Sequence, residues 1–278
     1  MSYIHQILTT EPPAFLYQYT SFAGLLGIAK SKSIWATNIH YLNDEQEFAY
    51  GLETMRQVIR ERQANAAVPS EAELLEKLTV HVGTIVRTNI FVTSFSEVPD
   101  LLSQWRGYCP NGKGVSIGFY AEDLATAAKR YGFRLVRAVY ELGTARGVAG
   151  ELIDGAFAYH RANPAIDLDA IASDFTRRLS AVAPALKHET FAEEKEWRLV
   201  SPMTSIKHPQ LRIRETAGRL VPYFDMELTE NDAPLRLGQV CVGPASDRAR
   251  AFDGAYDALN IHRVDFQGMR PSRVPYRE

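Results

Sequence analysis

Strand-like and helix-like segments do not alternate in any regular rhythm along this chain, and that irregularity excludes more folds than any single motif does. Helical periodicity crowds the first two thirds. Phe48, Leu52, Met55 and Ile59 recur at helical spacing after Asn43 and Asp44, an N-cap and a first-turn acid. A second helix is expected from Ser70, where Ser70 and Glu73 form a capping-box pattern, and a third, short one over "FAGLLGIAKS", capped by Ser21 and with Leu25, Leu26 and Ala29 on one face. Strand character is strongest in "NIFVTSFSE" and "GVSIGFY", follows in "AFLYQYT", "SIWATN" and "FRLVRAVY", and dominates the last third through "EWRLV", "LRIRE", "LVPYFDME", "GQVCVG", "HRVDF" and "SRVPY". A doubly wound parallel sheet needs a steady strand–helix beat. Without it the prediction is an α+β fold: one domain over 1–278, with a mixed or antiparallel sheet flanked by helices and a mostly helical insertion at about 146–188.

The chain of 278 residues, 46% hydrophobic and 23% charged, is long enough to bury a proper core. A net charge of −2 argues against a strong nonspecific hold on nucleic acid or on an anionic membrane. No apolar run approaches the roughly 20 residues that span a bilayer, and "MSYIHQILTTEPP" lacks a basic segment followed by an apolar one. Two cysteines, Cys109 and Cys241, make neither a disulfide framework nor a cysteine-rich metal site. Reduced thiols in a cytoplasmic protein with no membrane partner are expected.

Common catalytic signatures are absent: no G-x-S-x-G elbow, no Walker loop, no G-x-G-x-x-G after a strand, no H-E-x-x-H. The seven histidines sit at no ligand spacing, so no metal site is predicted. Cys109 would need a distant histidine to act as a nucleophile, and a structural thiol is the simpler expectation.

Four segments place polar residues where packing alone would not. In "LYQYTS", Thr20 and Ser21 carry hydroxyls at a strand-to-helix turn beside Tyr17 and Tyr19, although capping explains Ser21 by itself. In "ATNIHYLNDEQEF", His40, Asn43 and Asp44 could orient a ligand or simply start a helix. In "FVTSFSEVPDLLSQWRGY", strand alternation puts Phe91, Thr93 and Phe95 on one face and Ser94 and Ser96 on the other. Trp105, Arg106 and Tyr108 follow in a loop that would offer an aromatic wall and a cation, or tuck the indole into the core. In "FAEEKEWRLV", Glu196 and Arg198 share one strand face opposite Trp197 and Leu199, while Glu193, Glu194 and Lys195 read as a solvated lead-in. The alternative for Glu196 and Arg198 is an ion pair at an exposed sheet edge, which would contribute little.

Taken together, these segments resemble the bacterial proteins of domain-of-unknown-function family 2971. The matching elements are Tyr17 to Ser21, Asn43 and Asp44 with Glu47 and Phe48, Ser94 to Glu97, Trp105 to Tyr108, Lys187 through Arg198, and the late "GQVCVGP" and "SRVPYR". Gly107 stands where the family pattern has a histidine. The order of these motifs is in turn similar to that of ADP-ribosyltransferases, in which an early strand, a middle strand and a late glutamate meet around NAD. That resemblance implies a curved, split sheet and NAD as substrate. It implies Glu196 as the catalytic carboxylate and Tyr19 as a base-stacking wall with Thr20 beside it. Ser94 and Ser96 would line the sheet, and Arg198 would contact an anion. Gln18 and Tyr19 stand where the early strand of those enzymes carries a His or Arg.

The implied activity is ADP-ribosyl transfer or NAD hydrolysis on a nucleotide-like small molecule, in a toxin or phage-defence effector, with the macromolecular acceptor open. Two other readings stand beside it. One is a ligand-sensing or interaction protein without catalysis. The other is a metal-dependent nuclease, in which Glu193-x-Lys195 would be half of the site and Asp100 its distant partner.

Overall fold

The computed structural model describes residues 2–42, 45–85, 88–109, 113–216 and 218–275, with the side chains of 45–47 left aside. The elements in order are α1 (Tyr3–Thr9), β1 (Phe15–Thr20), α2 (Phe22–Ser31), β2 (Ser33–Asn38), α3 (Glu45–Ala64), α4 (Pro69–Thr84), β3 (Phe91–Ser96), α5 (Leu102–Tyr108), β4 (Val115–Tyr120), α6 (Ala121–Tyr131), β5 (Arg134–Arg137), α7 (Leu142–Ala162), α8 (Leu168–Val182), β6 (Glu196–Val200), β7 (Leu211–Thr216), β8 (Arg219–Glu227), β9 (Arg236–Val242), α9 (Arg248–Ile261) and β10 (Asp265–Pro271). Short 3₁₀ turns cover 183–185 and 189–194.

The α+β class predicted from the pattern is the class observed. Ten strands form one open sheet in the order β10-β9-β4-β1-β3-β2-β8-β7, with β6 pairing β3 and β5 off that path. It is mixed: β9 and β10 run parallel, and the other pairs are antiparallel.

The feature that positions the site is a split in this sheet. Along one edge β3 pairs with β6 from Val92↔Val200 to Ser96↔Glu196. Its other edge is shared by two strands, β1 at Ser96↔Tyr17 and β2 at Val92↔Thr37 and Phe91↔Asn38. Thr93, Ser94 and Phe95 lie between these pairings with no strand neighbour on that side. The two strands diverge because each completes its ladder elsewhere: β1 pairs with β4 from Phe15 to Thr20, and β2 with β8 from Ser33 to Thr37. Outer-edge pairing leaves the inward-facing N–H and C=O groups at the split without a strand partner.

Apolar residues cover the two faces differently. One face packs Leu16, Phe91, Phe95, Trp197 and Leu199 against α2, α6 and α9. The other packs Val92, Val136 and Val200 under α3, α4, α7 and α8. On that same face, beyond the split, Tyr19 and Cys241 pack with Trp105 of α5 and with Cys109 just after it. The split opens between the four-helix layer and α5.

Local structure departs from expectation in three places. α4 begins at Pro69 after Val68, with no side-chain cap, so Ser70 and Glu73 make no capping box. Proline fits the first helical position because its fixed φ suits the helix and its missing N–H is not needed there. Leu26, expected to share the buried face of α2 with Leu25 and Ala29, is exposed. The segment 102–108 is a helix and not a loop. The proposed cap at Asn43 and Asp44 lies outside the described residues, as do Pro110 to Gly112 in "GYCPNGKG" and the final three residues of "SRVPYRE".

Candidate functional site

At the split lies a cleft of about 550 Å³. Its floor is the unpaired stretch of β3, with β1 and α2 along one side and β2 with Arg214 of β7 along the other. Glu194, Glu196 and Arg198 close one end, and Gln104 and Tyr108 of α5 also contribute to the wall.

Strand register explains which side chains meet. Cα partners in an antiparallel pair present their side chains on the same face. Tyr17↔Ser96, Ser96↔Glu196, Ser94↔Arg198 and Val92↔Thr37 therefore put Tyr19, Ser94, Ser96, Thr37, Glu196 and Arg198 on one face, two residues apart along their strands. On the opposite face Gln18 crosses the mouth of the split and donates from Nε2 to Thr93 Oγ1 at 2.9 Å.

Glu196 is 3% exposed and fully paired. Its Oε1 accepts from Arg198 Nε at 2.7 Å, and its Oε2 accepts from Arg198 Nη2 at 3.1 Å and from Lys187 Nζ at 2.6 Å. Lys187, with no exposed surface, donates also to Glu194 Oε2 at 2.8 Å, and Arg198 Nη1 donates to the carbonyl of Pro184 at 2.7 Å. Two cations and two carboxylates thus form one buried network joining β6 to the segment 184–194. Burial pushes the Glu196 carboxyl up, but the Arg198 and Lys187 charges outweigh it and hold it at about 2. It is therefore a permanently ionised carboxylate at neutral pH. The Glu196 N–H donates to Tyr140 Oη at 2.8 Å, which fixes the start of the strand.

Of the residues singled out from the sequence, Tyr19, Thr20, Ser94, Tyr108, Glu196 and Arg198 line this cleft. The others do not. Trp105 is fully buried: it meets Tyr19 edge-on at 4.7 Å between ring centres, and its Nε1 donates to Asp100 at 2.8 Å. An indole with its N–H satisfied is better placed in the core than in a ligand wall, and the packed alternative is the one realised. Arg106, on the outer side of the same short helix, is exposed away from the cleft wall. Ser96 shares the face of Ser94, but its hydroxyl is already engaged, donating to the Glu194 carbonyl at 2.6 Å and accepting from Val98 N–H at 3.0 Å. Tyr19 lines the cleft, yet its hydroxyl donates to Val98 O at 2.7 Å and accepts from Leu101 N–H at 2.9 Å, so its polar end serves the loop before α5. Ser21 caps α2, accepting from Gly24 N–H at 3.0 Å.

The sequence reading missed Glu194, Lys187, Trp35, Thr37 and Arg214. Glu194 was grouped with its exposed neighbours Glu193 and Lys195. Lys195, however, adopts a left-handed conformation (φ 44°) that turns the chain into β6 and leaves the Glu194 side chain 14% exposed against Lys187. Arg214 could have been flagged by the alternation of Arg212 and Arg214 with apolar residues in "LRIRE". Asp100 does not join the Glu193-x-Lys195 pair. It accepts from Trp105, from Ser272 Oγ and from Arg273 N–H, which anchors the C-terminal segment.

No helix among the described residues is long and apolar enough to cross a membrane. Both cysteines are buried free thiols, and burial pushes each up to about 12, as expected of structural rather than reactive sulfur. No curated protein and no solved structure matches the chain. Residues 104–199, from α5 through β6, do match the model of a family described as "Protein of unknown function (DUF2971)", so the roughly one third of the chain that supplies Tyr108, Lys187, Glu194, Glu196 and Arg198 is similar to that family.

Proposed function

We propose that the split-sheet cleft binds NAD and that the protein cleaves its nicotinamide–ribose bond, as an NAD hydrolase or an ADP-ribosyltransferase. The observation that carries this reading is the meeting of Tyr19, Ser94 and Glu196 at one cleft, from an early, a middle and a late strand. In the reaction the C1′–N bond breaks and its electron pair leaves with nicotinamide. The oxygen of water, or of an acceptor group, bonds to C1′ and its proton passes to solvent. The ribose carries positive charge as the bond breaks, and a carboxylate that stays ionised across the neutral range stabilises that charge without a prior proton transfer. Ser94, half-buried on the floor and small, leaves the space such a sugar would occupy. A role as toxin or phage-defence effector accords with the resemblance.

The test is nicotinamide release from NAD by wild type, Glu196→Asp and Ser94→Phe, the last of which fills the floor while keeping every charged group of the network. Wild type should release nicotinamide, and both variants should lose most of that activity. A wild-type protein that binds no NAD by calorimetry would sink the reading.

One observation favours a second reading. Both oxygens of Glu196 are occupied by three donors, which suits a carboxylate that shapes a binding site without attacking chemistry. On this reading the protein senses a nucleotide: NAD binds and is recovered intact.

A further inference from the structure

The charges around the cleft do not balance. At its closed end Glu194 and Glu196 are matched by Lys187 and Arg198. Arg214, in the opposite wall, has no Asp or Glu within ion-pair distance among the described residues, although many arginines of this protein do, among them Arg56, Arg60, Arg62 and Arg146. What holds Arg214 is instead neutral. Its Nη2 donates to Thr37 Oγ1 at 3.1 Å, and its guanidinium lies over the Trp35 ring at 5.3 Å from the ring centre. Trp35 is backed in turn by Tyr223, with ring centres 4.5 Å apart. The Nε of Arg214 is buried and has no hydrogen-bond partner. Burial, with no carboxylate to offset it, pulls the Arg214 pKa below its usual value.

A half-buried guanidinium held in place by neutral groups is a preorganised anion site. Thr37 Oγ1 accepts from Arg214 and keeps its own proton to donate. Trp35, 43% exposed, gives the arm an open aromatic flank.

We propose that Arg214, Thr37 and Trp35 form a phosphate-binding arm, and that the ligand of this cleft is a nucleoside diphosphate or a molecule containing one. The spacing is consistent with this class. Thr37 faces Val92 across one ladder and Arg198 faces Ser94 across the next, so their Cα atoms are about 12 Å apart by strand geometry. A ligand that reaches from the Glu196 end to Arg214 must carry its anionic group well away from its first sugar carbon, as a nucleoside diphosphate does and a nucleoside does not. This inference rests on the nucleotide-cleft reading but does not require that NAD be cleaved.

The experiment is calorimetry with NAD, ADP and adenosine on wild type, Arg214→Gln and Arg214→Lys, at low and high salt. Wild type should bind ADP and NAD more tightly than adenosine, and more weakly at high salt. Arg214→Gln should weaken ADP and NAD by about ten- to a hundredfold and leave adenosine unchanged. Arg214→Lys should fall between. Should Arg214→Gln fail to fold, Thr37→Val measures the same difference through the hydroxyl. Equal ADP affinity in wild type and Arg214→Gln would overturn the arm, as would adenosine binding as tightly as ADP or no binding of any phosphate-bearing probe. The two proposals fail separately. ADP held through Arg214 with NAD left intact refutes cleavage and keeps the arm, whereas NAD cleaved equally well by wild type and Arg214→Gln does the reverse.

Discussion

Replacing Glu196 by glutamine keeps the shape of the side chain and removes the charge that Arg198 and Lys187 share. The amide retains one acceptor oxygen, but its NH₂ must then face a guanidinium or an ammonium that can only donate. Arg198 is 3% exposed and Lys187 has no exposed surface, so water cannot take over the lost role. Breaking a buried ion pair by removing one partner costs about 3–5 kcal/mol. A second estimate agrees: a carboxyl held at about 2 against its ordinary 4.5 is worth about 3 kcal/mol of folding free energy at neutral pH. For a chain of this length, with an unfolding entropy of about 2.1 cal/mol/K per residue, the melting temperature should fall by about 5–9 °C. Scanning calorimetry at pH 7 reads this directly. The sign with pH follows from the lowered pKa. The stabilisation is fully present above the ordinary carboxyl pKa of 4.5 and is lost as pH falls towards 2. The gap between wild type and Glu196→Gln should therefore close across that window. Equal melting of the two proteins at pH 7, or a gap that widens in acid, would refute the argument that this network holds the fold.

Three further outcomes are expected. In Tyr19→Phe, Val98 O and Leu101 N–H lose the phenol they share, so the denaturant midpoint should fall by the equivalent of about 1–3 kcal/mol with an unchanged slope. Lys187→Met should destabilise alone, but combined with Glu196→Gln it should cost clearly less than the two effects added, because both act on one network; additive melting data would contradict that. In Gly114→Ala the new Cβ would lie 2.2 Å from the backbone oxygen of Thr20 and 2.9 Å from Cys109 Sγ, so a loss of about 1–3 kcal/mol is expected, whereas Gly107→Ala on α5, with nothing within 4 Å, should be neutral or stabilising in the same thermal assay.

The periodicity of Phe48, Leu52, Met55 and Ile59 was enough to identify α3, because each of those residues is buried in the helical layer as the spacing requires. Strand alternation was equally informative. It paired Ser94 with Ser96 and Glu196 with Arg198, and the register of β3 against β6 then places all four on one face. What alternation could not do was separate Ser94, open to the cleft, from Ser96, whose hydroxyl is consumed by Glu194 and Val98. That difference depends on a loop and a turn from other parts of the chain. The split itself was unreadable from local pattern, since it arises where β1 commits to β4, about 100 residues later in the chain, and β2 to β8, further still. Trp105 and Glu194 show the same limit in opposite directions. An aromatic expected at a ligand wall found an N–H acceptor in Asp100 and sank into the core. A charge expected in solvent found Lys187.

The ladder that joins β2 to β3 consists of Thr37↔Val92 and Asn38↔Phe91, continued by the Ile39 N–H to the Ile90 carbonyl at 2.8 Å. Strands β8 and β7, with Trp35, Tyr223 and Arg214, hang on β2. The other side of the cleft is braced by the full-length pairing of β1 with β4 and by the pairing of β4 with β9, which shifts register between Ile117 and Phe119. Each side of the cleft therefore joins β3 by a short ladder, one register pair to β1 and two to β2, and is braced along its outer edge. Phe224 and Met226 of β8 pack in one apolar cluster with Leu16 of β1 and Phe91 and Phe95 of β3, so the two walls of the cleft and its floor share a single core.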